Sequence, residues 1–139
     1  MLQRTYSTEI VLKATEQYSS EIKGFCPEEW LANRGNIALV SSDGDVALFE
    51  RDVPQVVTGH YFFFCRGRDA INLSREVLDE VFSGPYDIQI IRGLTPLDNK
   101  GALWMSRQVG FKSYGDIKTQ AGLCRLFILT KQEWEQLNG

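Results

Sequence analysis

Residues 99–115 read NKGALWMSRQVGFKSYG, and the punctuation of this stretch decides which sheet architecture the chain encodes. Asn99 carries a short side-chain carbonyl that can accept from the unpaired N–H groups of a first helical turn. Ala, Met and Val stud the helix that follows, which the pattern places at about residues 97–109. Gly110 supplies the left-handed backbone that closes it, and Phe111 folds back as the apolar contact after the cap. Pro96, just upstream, ends an extended segment.

Working outward, residues 86–94 alternate with Tyr86, Ile88 and Ile90 on one side, as a strand does. Before them, INLSREVLDEVFSG follows Ala70 and puts Ala70, Leu73, Val77, Leu78 and Val81 on one helical face, stopped by Gly84 and Pro85. Residues 55–65 end in YFFFC and read as a strand by β-propensity. Strands at 36–42 and 46–51 flank a tight Ser42-Asp43-Gly44 turn. The chain opens with a short edge strand at 1–6 and a helix capped by Ser7 or Thr8, whose face is Ile10, Ala14 and Tyr18. A second short helix starts with Pro27 in its first turn. Downstream of the opening stretch, strands at 112–118 and 123–129 form a hairpin around Gln120, Ala121 and Gly122. Thr130 and Glu133 fit a capping box for a terminal helix.

The order is β, α, α, β, β, β, α, β, α, β, β and a helical tail, with no linker or repeat. An antiparallel meander feeding β-α-β units predicts an α+β fold: one domain over residues 1–139, with a single mixed, mostly antiparallel sheet flanked by helices. With 139 residues, a charged fraction of 24% and a formal charge of -3, the chain is one ordinary globular domain without the basic stripe of a nucleic-acid binder. Three cysteines without CxxC spacing and a single histidine are too few soft ligands for zinc, so no metal is expected. The thiols read as reduced, which points to a cytoplasmic protein, and no apolar run of membrane-spanning length occurs.

Asn99, Ala102, Gly110 and Phe111, in that spacing and after this order of elements, resemble the GNAT superfamily of acyl-CoA-dependent N-acyltransferases. The resemblance implies that the strands before Asn99 and after the preceding helix splay apart, leaving a gap for a pantetheine arm that Asn99 could bond. It also implies a pyrophosphate loop between the fourth strand and the next helix, with the family pattern Gln or Arg, two residues, Gly, one residue, Gly or Ala. Here that loop is Cys65-Arg66-Gly67-Arg68-Asp69-Ala70-Ile71. Arg66 fits the first position, while Asp69 and Ile71 stand where the glycines should. Two readings stay open: arginines replacing part of the N–H nest around acetyl-CoA or another acyl-CoA, or Asp69 as a helix cap beside solvated arginines.

For chemistry, the resemblance implies a proton donor seven positions after Asn99, where this chain has Ser106 rather than tyrosine. Glu50 and His60, on the third and fourth strands, are the available bases, and alternation sets Glu50 opposite Ala47 and Phe49. Tyr114 and Cys65 are further reactive groups without an identifiable partner. Residues 61–64, all aromatic, suit a strand covered on both faces or an interface, and Trp104 is an interface candidate if it lies on the outside of its helix. The segments IIRGLTPLDNKGALWMSRQVGFKSYG and LFILTKQEW resemble a family of short-tailed bacteriophage proteins that includes head-assembly proteins. That similarity implies a phage product in a bacterial cell, with head or scaffold proteins as partners. Two functions follow as expectations: an acyl-CoA-dependent N-acyltransferase with an atypical phosphate loop, or a non-catalytic assembly protein that kept the scaffold.

Overall fold

The computed structural model describes residues 2–18, 25–120 and 122–138. Its elements are β1 (Leu2–Arg4), α1 (Thr8–Glu16), α2 (Pro27–Ala32), β2 (Ile37–Ser41), β3 (Val46–Val53), β4 (Val56–Phe62), α3 (Gly67–Ser83), β5 (Ile90–Pro96), α4 (Lys100–Gln108), β6 (Lys112–Thr119), β7 (Gly122–Thr130) and α5 (Lys131–Asn138). This is the order read from the sequence. Ala121, in the middle of the expected hairpin turn, and Met1, at the start of the expected edge strand, lie outside the described residues.

The seven strands form one sheet in the order β1-β2-β3-β4-β5-β7-β6. Every neighbouring pair is antiparallel except β4 and β5, which run parallel. A parallel pair needs a crossover, and α3 supplies it. One face of the sheet, through Ala38, Val46, Leu48 and Phe62, packs on Val11 and Ala14 of α1 and Leu31 of α2. The other face, through Ile37, Leu39, Ala47, Phe49 and Val57, packs on Val77, Leu78, Val81 and Phe82 of α3. Met105 of α4 and Trp134 of α5 reach the same cluster from its margin.

Local punctuation behaves as the residue types require. Ser7 caps α1 by accepting from the Ile10 N–H at 3.3 Å, and Asn99 caps α4 by accepting from Ala102 at 3.1 Å. Gly110 takes φ 107° after α4. Thr130 and Glu133 close the capping box reciprocally: the Thr130 N–H donates to Glu133 and the Glu133 N–H to Thr130 Oγ1, both at 3.1 Å.

Three expectations shift. The buried side of α1 is Val11, Ala14 and Thr15, with Ile10 exposed. The sheet it packs against selects a stripe one residue round from the apparent one. Along β5 the buried residues are Ile88 and Ile91, not Ile88 and Ile90. The N–H groups of Gln89 and Ile90 both donate to Gln55 O, so the strand takes on an extra residue there and the alternation changes phase. Finally, α3 begins at Gly67 with Arg66 in the cap position, so Asp69 is a first-turn residue and not the cap.

Candidate functional site

The parallel pair sets the site. Val56, Val57 and Thr58 of β4 pair with Ile90, Ile91 and Arg92 of β5, and there the ladder stops. Both strands continue, residues 59–62 on one side and 93–96 on the other, so a wedge about 13 Å long opens at roughly 3.3 Å per residue. Asp52 clamps the point of parting. Its carboxylate accepts from Thr58 Oγ1 at 2.6 Å and from Arg92 Nη2 at 2.7 Å, joining the side chains of the last ladder pair. Burial pushes the Asp52 carboxyl up, but these two bonds and the Arg92 charge outweigh it and hold the group below its usual range.

Because β4 and β5 run parallel, their C-terminal ends share one edge of the sheet, and each leads into a helix N-terminus. The wedge therefore opens between the positive ends of α3 and α4, which favours an anionic group at its mouth. On the β5 side stands Asn99. Its Oδ1 is committed to the cap, and among the described residues nothing accepts from its Nδ2. On the β4 side, Arg66 in the cap position makes no side-chain cap bond to the first-turn N–H groups of α3, and Gly67 takes φ 61°.

The loop between β4 and α3 is held from behind. Asp45, at the start of β3's hairpin and only 4% exposed, accepts from the Phe64 N–H at 2.7 Å and the Cys65 N–H at 3.3 Å. It also accepts from Ser41 Oγ at 2.8 Å. Burial pushes its carboxyl up, yet the bonds from Ser41, Phe64 and Cys65 more than offset this and leave the group below the ordinary aspartate value. Arg66 turns back on the same loop, donating through Nη1 to Phe63 O at 2.5 Å and Cys65 O at 3.0 Å. Arg68 and Asp69 are exposed on the first turn, and Ala70 is buried under it. Of the loop residues singled out in the sequence, Gly67 and Arg68 are exposed at the start of α3 while Arg66 serves the loop itself. Burial and the Asp45 carboxylate both raise the Cys65 thiol, which removes it as a ready nucleophile.

Glu50 and His60 meet on the face shared with α1 and α2. The register pairs Leu48 with His60 and Glu50 with Thr58, so the two are diagonal neighbours. His60 lies in the part of β4 that borders the wedge. The protein packed around the ring lowers its pKa, although part of the ring stays exposed; Glu50 and then Asp52 pull the other way. A neutral imidazole at pH 7 can accept a proton. Beside it, Glu50 lines a cavity of about 320 Å³ together with Phe25, Cys26, Glu29, Trp30, Asn33 and Asn36. Ser106 is half-buried on α4 with Ala102 and Met105, next to the buried cap residue Val109, and Tyr114 stands exposed on β6. Among the described residues, no group of three or more His, Cys, Asp or Glu side chains is placed to hold a metal, and no helix is long and apolar enough to cross a membrane.

The sequence reading missed Asp45, Asp52 and the α2 residues of the cavity. Asp45 had a signal, an acid placed between a Gly turn and the apolar run at residues 46–49. Asp52 had none, since its partners lie 6 and 40 residues away.

Compared with solved structures, the chain superposes on a variant of spermidine N-acetyltransferase SpeG from Vibrio cholerae with a TM-score of 0.77, at 9% identity, covering 100% of this chain and 99% of that one. It superposes equally fully on aminoglycoside acetyltransferase AAC(6')-Ib in complex with coenzyme A and kanamycin, with a TM-score of 0.75 at 15% identity, covering 100% and 99%. The chain has the GNAT acetyltransferase fold. No protein-family model matches it, and no curated protein sequence does. At these identities the likeness establishes architecture, and residue roles rest on the geometry above.

Proposed function

We propose that this GNAT-fold protein binds an acyl-CoA in the β4–β5 wedge and passes the acyl group to an amine. The observation that carries the reading is the wedge itself: two parallel strands that part after Thr58 and Arg92 and lead to two helix N-termini. Coenzyme A stands in the solved complex of AAC(6')-Ib, a protein of the same fold. The residues fit such a group in part. The first-turn N–H groups of α3, with Gly67 and Arg68, would hold its phosphates, and Asn99 Nδ2 would donate to an amide of its arm. Asp69 lies at the same turn and would weaken that hold, as a carboxylate beside phosphate must.

An acyl-CoA supplies an activated thioester. The chain's part is to orient it and manage the amine. An amine entering through the cavity beside Glu50 and Trp30 would arrive on the His60 side of the wedge. Neutral His60 would take its proton, and Glu50 would stabilise the imidazolium that results. Ser106 stands at the helical position that a phenolic donor would fill, and its hydroxyl is a far weaker acid.

The test is binding before catalysis. Saturating acetyl-CoA should raise the melting temperature, and Arg68→Ala and Asn99→Ala should each shrink the rise. An unchanged melting temperature at millimolar acetyl-CoA would overturn the reading.

A second reading has its own observation. Trp104 is 48% exposed on α4, and Leu123 is exposed on β7. Exposed apolar side chains of this kind suit a non-catalytic assembly role in which the chain docks on phage head or scaffold proteins. Retention of the chain by a purified head or scaffold protein, lost in Trp104→Ala, would support it. Absence of any such retention would remove it.

A further inference from the structure

At the point where β4 and β5 part, two glycines follow the last ladder pair, Gly59 on β4 and Gly93 on β5. Both lie inside strands, where a missing side chain weakens the strand and calls for a reason. Gly59 has one. A Cβ there would stand 2.9 Å from Cε1 and 3.2 Å from Cδ1 of Phe49, its partner across the β3–β4 ladder. That aromatic ring fills the place of the side chain.

Gly93 has no such reason. Its backbone is not in the left-handed region, and a Cβ built on it would meet only the carbonyl oxygen of Gly59, at 4.0 Å. Phe127, its ladder partner on β7, is buried, yet comes no closer than this. The residue is half-buried and directly follows the last ladder pair, so the open space beside it adjoins the narrow end of the wedge. Neither conformation nor the fold's own packing requires glycine at this position. A side chain there would stand beside the narrow end of the wedge, where none stands now.

We infer that Gly93 is a specificity-determining residue of the wedge, leaving room at its narrow end for the acyl group of a short-chain acyl-CoA longer than acetyl. This rests on the reading that the wedge takes an acyl-CoA. An arm that enters between the helix N-termini and runs down the gap brings its acyl end to the level of Gly93. A methyl or isopropyl group on Gly93 would then compete with the acyl chain for the same space. It would leave the sheet intact, since a β-branched residue suits a strand better than glycine does.

The experiment compares the full chain with Gly93→Ala and Gly93→Val, measuring melting temperature without ligand and dissociation constants for coenzyme A, acetyl-CoA and butyryl-CoA. The expected result is a melting temperature unchanged or raised in both variants. Wild type should bind all three ligands. In Gly93→Val, butyryl-CoA should weaken at least tenfold, acetyl-CoA less, and coenzyme A within about twofold, with Gly93→Ala showing the same order in smaller steps. Equal affinities in wild type and both variants would overturn the inference while leaving acyl-CoA binding in place. So would a marked loss of melting temperature in Gly93→Ala, because the fold itself would then need the glycine. A wild-type chain that binds none of the three ligands overturns the wedge reading, and this inference with it.

Discussion

The two sides of the parting line differ. On the β1–β4 side the central strands are covered on both faces, and Ile37, Leu39, Val46, Phe49 and Val57 are at most 1% exposed. On the β5–β7 side, α4 and α5 have no fully buried residue, and β6 is exposed along almost its whole length. Both sides belong to one sheet, so strand pairing is not what distinguishes them. In the first, the helices as well as the strands bury apolar residues, with Leu12 and Val53 left exposed. The second buries Ile91, Phe127 and Leu129 on its strands and leaves Leu94, Trp104, Ile117 and Leu123 facing solvent. The difference teaches where to look for each property, with most of the helix-on-sheet stability in the first region and α4 and β6 in the second left accessible to other molecules.

Substitutions should separate the two regions by size of effect. The largest is expected for Phe49→Ala, which empties a site with no exposure and removes the ring packed over Gly59. Chemical denaturation should show a loss of about 3–5 kcal/mol. Asp45→Ala comes next, at about 2–3 kcal/mol, because the amides of Phe64 and Cys65 lose their acceptor. Its sign with pH follows from the lowered carboxyl. The stabilisation is fully present above the unfolded value near 3.8 and fades as pH falls through the lower folded value. The gap between wild type and Asp45→Ala should therefore narrow in strong acid. A gap that persists unchanged there would show that the carboxylate charge is not what holds the loop.

Trp104→Ala, across the parting line, should stay within about 0.5 kcal/mol of wild type. A cost approaching that of Phe49→Ala would break the comparison, since α4 would then belong to the stabilising core. The smallest effect is a titration. As the chain has one histidine, its imidazole resonance reports His60 alone, and its midpoint should fall below 6.5. Glu50→Gln should lower the midpoint further, since that carboxylate favours the charged ring. Any stability linked to His60 is therefore complete above pH 6.5 and declines as pH falls towards the folded value. A midpoint above 6.5 would place the ring under the control of its carboxylate neighbours instead of the surrounding protein.

Much of the architecture was legible in the residues. Asn99, Gly110, Pro27 and the Thr130–Glu133 pair each fixed an end of a helix, because a cap is settled within three or four residues of chain. The phase of β5 was not legible, since the extra residue at Gln89 and Ile90 exists only to meet Gln55, 34 and 35 residues back. The candidate site divides in the same way. Glu50 could be assigned to the strand face away from Ala47 and Phe49 by alternation, whereas Arg66 looked like a phosphate ligand until its guanidinium was seen on the loop's own carbonyls.

By itself, then, the sequence determined the succession of strands and helices and the helix ends that a capping residue marks, because hydrogen bonds at helix ends and the two side-chain periodicities act over a few residues. Only the tertiary structure decided that β4 and β5 separate after Thr58 and Arg92, that Asp45 reaches the loop before α3, and that the space beside Gly93 stays open. Those features depend on which residues the sheet register sets side by side, and the partners lie tens of positions apart in the chain.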